Sequence, residues 1–234
     1  MLEELLQAGF AQLGLDPDGD ALRRYRLYYE ALEETNKVMN LTAISGEADC
    51  ARLHFLDCAA LLKLADLGGK RLIDVGTGAG FPGLALKIAR PDLELTLLDS
   101  LDKRVRFLSG TCDKLGFSDV ACLHARAEEA PPELRESFDF AASRAVARLN
   151  LLCELCLPFV KVGGLFLAMK GPEVEEELQE AKRAIALLGG RCERVAPYTI
   201  PGTDIVHTAV LIRKEKPTPA RYPRRWAQIR KAPL

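Results

Sequence analysis

The chain has 234 residues, enough for one large domain, or a domain with an appendage, that buries a core without staples. Its 48% hydrophobic and 28% charged residues are ordinary for a globular protein and argue against disorder, collagen and coiled coil. The net charge of −1 hides an asymmetry. From Arg213 onward, Arg213, Lys214, Lys216, Arg221, Arg224, Arg225, Arg230 and Lys231 stand against Glu215 alone, a surplus of +7 that leaves −8 for everything before it. A basic tail on an acidic body suits a polyanionic partner, although a solvated, solubilising end has the same composition.

Seven cysteines, an odd number, are scattered through apolar stretches and read as buried thiols of a reducing compartment. Cys153 and Cys156 form a CxxC, but no second pair or nearby histidine completes a metal set, so no metal is expected. The start, Met1-Leu2-Glu3-Glu4-Leu5-Leu6, carries acids where a signal peptide needs bases, and no run of eighteen apolar residues spans a membrane. A cytoplasmic protein is expected.

In chain order, residues 1–68 contain no convincing strand and read as an N-terminal helical cap. Leu2, Leu5, Leu6, Phe10 and Leu13 follow helical spacing up to Gly14. A longer helix runs over 21–39, with Leu22, Tyr25, Tyr29, Leu32 and Met39 on its apolar side, and a third over 48–64. After Gly68-Gly69 the rhythm changes. Strands are predicted at 71–75, 93–98, 120–123, 138–143 and 164–168, with helices at 82–89, 103–115, 149–156 and 174–188. Apolar strands alternating with helices imply a parallel sheet covered on both faces. Two last β-type runs, 191–199 and 205–213, flank Pro201-Gly202-Thr203-Asp204 with no helix between them, a hairpin at one sheet edge. A core over 69–213 and a basic tail over 214–234 complete the division.

The segment that carries chemistry is Asp74-Val75-Gly76-Thr77-Gly78-Ala79-Gly80-Phe81-Pro82-Gly83. A strand ends in an acid, then a glycine-rich turn opens a helix with Pro82 in its first turn, as a nucleotide-type ligand near the backbone requires. Asp99 closes the next strand about twenty residues on, where a ribose diol is held. Gly78-x-Gly80-x-x-Gly83 also has dinucleotide spacing, which is a weak signal alone. Asp74 argues against a dinucleotide, because a carboxylate aimed at the loop repels pyrophosphate and suits a cationic methionine portion instead. The terminal hairpin points the same way.

These motifs resemble those of a class I S-adenosylmethionine methyltransferase, an α/β, Rossmann-like fold with a mostly parallel seven-stranded sheet ending in a hairpin. The wider pattern is more particular: Asn40-Leu41-Thr42, His54-Phe55-Leu56-Asp57, Gly76 to Gly83, Asp99-Ser100-Leu101-x-Lys103-Arg104, Arg126-Ala127-Glu128-Glu129, Ser143-Arg144-Ala145, Lys170-Gly171, and Tyr222-Pro223-Arg224 with the final Pro233-Leu234. From about Asn36 to the last residue, in order, it resembles the RsmG (GidB) family, bacterial enzymes that methylate guanine N7 in 16S ribosomal RNA.

The resemblance implies S-adenosyl-L-methionine as cofactor and 16S ribosomal RNA or the small ribosomal subunit as partner; the protein itself is expected to be a monomer. It places Gly76 and Phe81 against the methionine and ribose portion, Asp99 at the ribose hydroxyls, Ala127 and Glu128 beside the adenine, and Arg144 beside the cofactor at the entry of the base, where it is also the one candidate for a catalytic residue; Asp74, Gly78 and Gly80 are expected cofactor-binding residues of the same turn. Lys103, Arg104, Arg221, Arg224, Arg225, Arg230 and Lys231 are the expected RNA contacts. His54 reads on residues alone as a structural histidine, and only the resemblance raises it to a site candidate; His124 and His207 receive no role. Asn40 and Thr42 suit turn chemistry equally well. Where many members of the family have a glycine- and proline-bearing linker, this chain has Arg224-Arg225-Trp226-Ala227-Gln228-Ile229-Arg230-Lys231, in which Trp226 and Ile229 suggest a tail that docks.

No catalytic triad is expected, since guanine N7 has an in-plane lone pair and no proton, and alignment supplies much of the rate. The competing readings are a methyltransferase for another RNA or a small molecule, an NAD-linked oxidoreductase, and a binding module without turnover. Scarce aromatics (6%) and the basic tail argue against the small-molecule reading.

Overall fold

The computed structural model describes residues 1–144 and 147–234; Ala145, the last residue of the Ser143-Arg144-Ala145 motif, lies outside the described residues. Helix α1 (Leu2–Gln12) closes at Gly14, whose φ of +68° a side chain would resist. Helix α2 (Gly19–Met39) starts where the Asp18 carboxylate accepts from the Ala21 N–H at 2.8 Å, and stops at Asn40 in the left-handed conformation. Its inward face is Leu22, Tyr25, Tyr28 and Leu32; Tyr28, not Tyr29, is the second buried tyrosine. The third predicted helix is present but irregular. It opens as α3 (Glu47–Cys50), widens into a π-helical stretch at Ala51–Leu56, and resumes as α4 (Asp57–Ala59) before a 3₁₀ turn at Ala60–Lys63. Such widened turns often mark functional sites, and this one carries His54.

Seven strands follow: β1 (Arg71–Val75), β2 (Glu94–Asp99), β3 (Ala121–His124), β4 (Phe138–Arg144), β5 (Val160–Lys170), β6 (Gly190–Thr199) and β7 (Val206–Lys214). Their order across the sheet is β3-β2-β1-β4-β5-β7-β6, parallel as far as β5. The hairpin enters antiparallel, with β7 against β5 and β6 at the edge, so the last strand lies inside the last but one. Between them run α5 (Gly83–Ala89), α6 (Asp102–Leu115), α7 (Leu149–Cys156) and α8 (Glu175–Leu187). A short α9 (Trp226–Lys231) ends the chain.

The two faces of the sheet have different cores. On one face, Leu2, Phe10, Tyr25, Tyr28 and Phe55 of the cap pack in a single cluster with Leu72, Leu84, Leu97 and Leu167 of the α/β part. The division at residue 68 is therefore one of secondary structure, not of separate cores. On the other face, α7 and α8 pack against Ile73, Phe166 and Val210 together with Tyr222 and Ile229 of the tail. Cys153 and Cys156 are buried in that layer. Because β1, β2 and β4 are parallel and adjacent, their C-terminal ends meet along one rim, where open α/β sheets bind ligands.

Candidate cofactor and base site

Asp74 is wholly buried at the end of β1. Its Oδ2 accepts from the Thr77 hydroxyl at 2.6 Å and the Gly83 N–H at 2.8 Å, which fastens the glycine turn to the strand. Burial, only partly offset by these two bonds, raises its pKa to about 6. The turn runs through left-handed Gly76, Gly78 and Gly80 (φ +69°, +62° and +106°). Two of the glycines serve packing. A Cβ on Gly80 would stand 2.4 Å from the Tyr28 hydroxyl, which donates to the Ala79 carbonyl, and one on Gly83 would meet Leu97 and Asp74 below 3 Å. Gly80 is thus explained by the approach of α2, and Asp74 by the turn that it holds; neither lines the clefts that Gly76, Gly78 and Phe81 line.

Asp99, at the end of β2, accepts from the Gly78 N–H and the Leu101 N–H, both at 2.9 Å. It lines two clefts that share Gly76, Asp99 and Ser100. The larger, about 410 Å³, runs past Thr42, His54, Gly78, Phe81, Arg104 and Arg144. The smaller, about 150 Å³, runs past Leu98, Ala127, Glu128 and Trp226. Glu128 Oε1 is buried there without a hydrogen-bond partner.

This rim fits S-adenosyl-L-methionine. The Glu128 Oε1, which accepts no hydrogen bond although Arg126 Nε lies 3.5 Å away, stands beside apolar Leu98 and Ala127 and suits an adenine amine, and the Asp99 carboxylate at the junction suits a ribose diol. Asp74 Oδ1, also buried without a partner, adds negative charge beneath the turn where a sulfonium or ammonium is favoured.

At the far end of the larger cleft the polar groups are bound to one another. The Arg144 Nη2 donates to His54 Nδ1 at 2.8 Å, and its Nη1 to the Leu53 carbonyl at 3.1 Å and Asp57 Oδ2 at 3.2 Å. A guanidinium has only donors, so His54 carries its hydrogen on Nε2 and donates to Thr42 Oγ1, 2.8 Å away. Thr42 Oγ1 also accepts from the Ile44 N–H at 3.0 Å, which leaves its own hydroxyl hydrogen free beside the cleft. Burial, then the Arg144 charge, holds His54 neutral with a pKa of about 3. Its ring stacks on Phe81 with centroids 4.2 Å apart, and the Arg144 guanidinium lies 4.8 Å from the Phe81 centroid.

Arg144 and His54 also line a third cavity of about 780 Å³, between the cap, the ends of β4 and β5, and the hairpin. On its hairpin side, Tyr198 Oη donates to Asp57 Oδ1 at 2.8 Å and His207 Nδ1 does so at 2.9 Å. The bond to Asp57 raises the His207 pKa. Asp57, fully buried, thereby ties β4, β6 and β7 to the cap. Sequence reasoning gave no role to Asp57, Tyr198 or His207. Asp57 lies in the His54-Phe55-Leu56-Asp57 motif, whereas nothing in the hairpin sequence signals that Tyr198 and His207 face a residue 141 and 150 positions earlier.

The basic residues divide. Lys103, Arg221, Arg225, Arg230 and Lys231 are exposed, while Arg104 turns inward, 3.6 Å from Asp99. Arg224 is the correction. Its backbone N–H, Nε and Nη2 donate to the buried Glu154 at 2.9, 2.8 and 2.6 Å, so its guanidinium fastens the tail instead of reaching for phosphate. Lys214 is wholly buried and Arg213 is bridged to Glu193. Among the described residues no group of three or more histidine, cysteine or acidic side chains is set to hold a metal, and no helix is long and apolar enough to cross a membrane.

Comparison with known proteins accounts for this rim. The model of the family GidB, described as rRNA small subunit methyltransferase G, matches residues 21–201. The chain belongs to the GidB family. Ribosomal RNA small subunit methyltransferase G of Clostridium perfringens is 44% identical over 99% of this chain and 98% of its own length. The protein of that name from Alkaliphilus metalliredigens is 46% identical over 98% of both. Among solved structures, a SAM-dependent methyltransferase from Aquifex aeolicus superposes with a TM-score of 0.52 at 21% identity, covering 68% of this chain and 91% of its own. The GidB chain therefore has the class I S-adenosylmethionine-dependent methyltransferase fold, with the expected mostly parallel seven-stranded sheet ending in a hairpin.

Proposed function

We propose that this GidB chain transfers a methyl group from S-adenosyl-L-methionine to N7 of a guanine in 16S ribosomal RNA. Membership of a methyltransferase family makes it an S-adenosyl-L-methionine-dependent enzyme acting on small-subunit ribosomal RNA. The base and atom are our reading. The observation that carries it is Arg144, fixed by Asp57 and His54 in the wall that separates the two-part cleft from the 780 Å³ cavity.

When bound, S-adenosyl-L-methionine supplies a sulfonium methyl that accepts a lone pair. The residues of this chain then have to bind, align and exclude water. Gly76, Gly78 and Phe81 would line its methionine and ribose portion, Asp99 would accept from the ribose hydroxyls, and Ala127 and Glu128 would flank the adenine. A guanine in the large cavity meets Arg144 on the cofactor side and His207 on the hairpin side. N7 has no proton to lose, so the transfer needs no general base; His54 is neutral with its lone pair engaged by Arg144, and both Asp57 oxygens accept bonds. Catalysis by alignment in a pre-set wall is what this arrangement supplies. Exposed Lys103, Arg221, Arg225, Arg230 and Lys231 are the proposed phosphate contacts.

The test is incubation with labelled S-adenosyl-L-methionine and small-subunit ribosomal RNA, naked and as subunits from cells lacking the gene, followed by chemical cleavage at 7-methylguanine. Label at a single guanine is expected. Label on another base or atom would overturn the N7 reading.

A further inference from the structure

Trp226 stands at the nucleoside end of the cleft, on a tail whose sequence departs from the family pattern there. Resting on the reading that the paired clefts hold S-adenosyl-L-methionine, we propose that Trp226 is a wall of that site, so that the C-terminal tail is part of the cofactor-binding surface.

The tail is held against the body at four places. The carbonyls of Thr218 and Tyr222 accept from the Arg135 guanidinium at 2.6 and 2.7 Å. The Tyr222 side chain is buried in the layer formed by α7 and α8. Arg224 makes its three bonds to Glu154, a residue of α7 whose side chain is 1% exposed. Ile229 is completely buried. Trp226 lies three residues before Ile229 on α9, so the two share a helix face and the anchored isoleucine turns the indole toward the body. There Trp226 lines the 150 Å³ cleft together with Gly76, Leu98, Asp99, Ala127 and Glu128. Apolar walls with one buried acceptor that receives no hydrogen bond suit a ligand with apolar ring faces and an amine donor at one edge. An adenine has both, and an indole is a large flat surface for it.

Trp226 is the chain's only tryptophan, and its emission therefore reports this one wall. The full-length protein is titrated with S-adenosylhomocysteine and followed in parallel by calorimetry and by tryptophan emission. We expect a saturable emission change with the calorimetric Kd. Trp226→Ala should weaken binding about tenfold, in keeping with loss of base–aromatic stacking, and Trp226→Phe should restore most of it. Ile229→Ser, which releases α9 without touching the cleft, should also weaken binding. Calorimetric binding with unchanged emission in the wild type would overturn the inference and leave the cofactor reading standing; that arm holds even if Trp226→Ala fails to fold. An emission change with wild-type affinity in Trp226→Ala would also overturn it. No calorimetric binding at all would remove both.

Discussion

The N-terminal cap and the C-terminal tail cover opposite faces of one sheet and reach the same rim by different physics. The cap is held by aromatic packing: Phe10, Tyr25, Tyr28 and Phe55 share a cluster with the α/β core, each large ring burying area on the order of 150–250 Å². The tail is held by the Arg224–Glu154 ion pair, the Arg135 bonds to two of its carbonyls, and two buried side chains, Tyr222 and Ile229. The cap delivers Thr42 and His54 to the end of the cleft near Arg144, and the tail delivers Trp226 to the end near Glu128. An end built into the main core tolerates little change. An end fastened by a few contacts, each of them separable from the main core, can be altered one contact at a time.

The sharpest way to break the comparison is Asp57→Ala. It strips Arg144, Tyr198 and His207 of a shared buried acceptor, and leaving a buried charge unpaired costs about 3–5 kcal/mol. Urea unfolding should show that loss, and methyl transfer should fall even at temperatures where the fold survives. Next comes Arg224→Ala, which leaves Glu154 buried without its partner. We expect a loss of about 3 kcal/mol in the same measurement, with no change in the salt dependence of RNA binding. A reduced salt slope instead would return Arg224 to the phosphate surface.

A pH series then separates the cap end from the rest. Folded His54 has a pKa of about 3 against an ordinary 6.5, so the unfolded chain takes up this proton first as pH falls. Its contribution is a loss of stability between about pH 6.5 and 3, and none above that window. Asp74 acts in the opposite direction: raised from 3.8 to about 6, it binds its proton first in the folded state and adds stability as pH falls through that interval. His54→Gln should flatten the acid limb of a stability–pH curve, and Asp74→Asn should steepen it. The smallest effects belong to the exposed tail. Arg225→Ala and Arg230→Ala should each change stability by less than about 0.5 kcal/mol and lower the slope of log K against log salt by about one.

Much of this was legible in the sequence because short-range chemistry fixed it. The strand at 71–75, the glycine turn, the helix at 149–156 and the stop at Gly14 follow from periodicity and backbone requirements. Where the reading missed, a distant partner decided. The periodicity of α2 allows Tyr28 or Tyr29 inward, and the Ala79 carbonyl, fifty-one residues away, selects Tyr28. Gly80 reads as a ligand glycine until the Tyr28 hydroxyl is seen beside it. Arg224 looks like any exposed tail arginine until Glu154, buried on α7, is placed against it. His207 and Tyr198 gain meaning only when the hairpin folds back onto Asp57.

The central claim, that one rim carries the nucleoside at the tail end and the reacting end at the cap, is tested most directly by a crystal structure with S-adenosylhomocysteine. The account predicts the adenine between Ala127, Glu128 and Trp226, the ribose hydroxyls on Asp99, and the sulfur turned toward Phe81 and Arg144. A ligand seated the other way round, or in the large cavity between cap and hairpin, would contradict it.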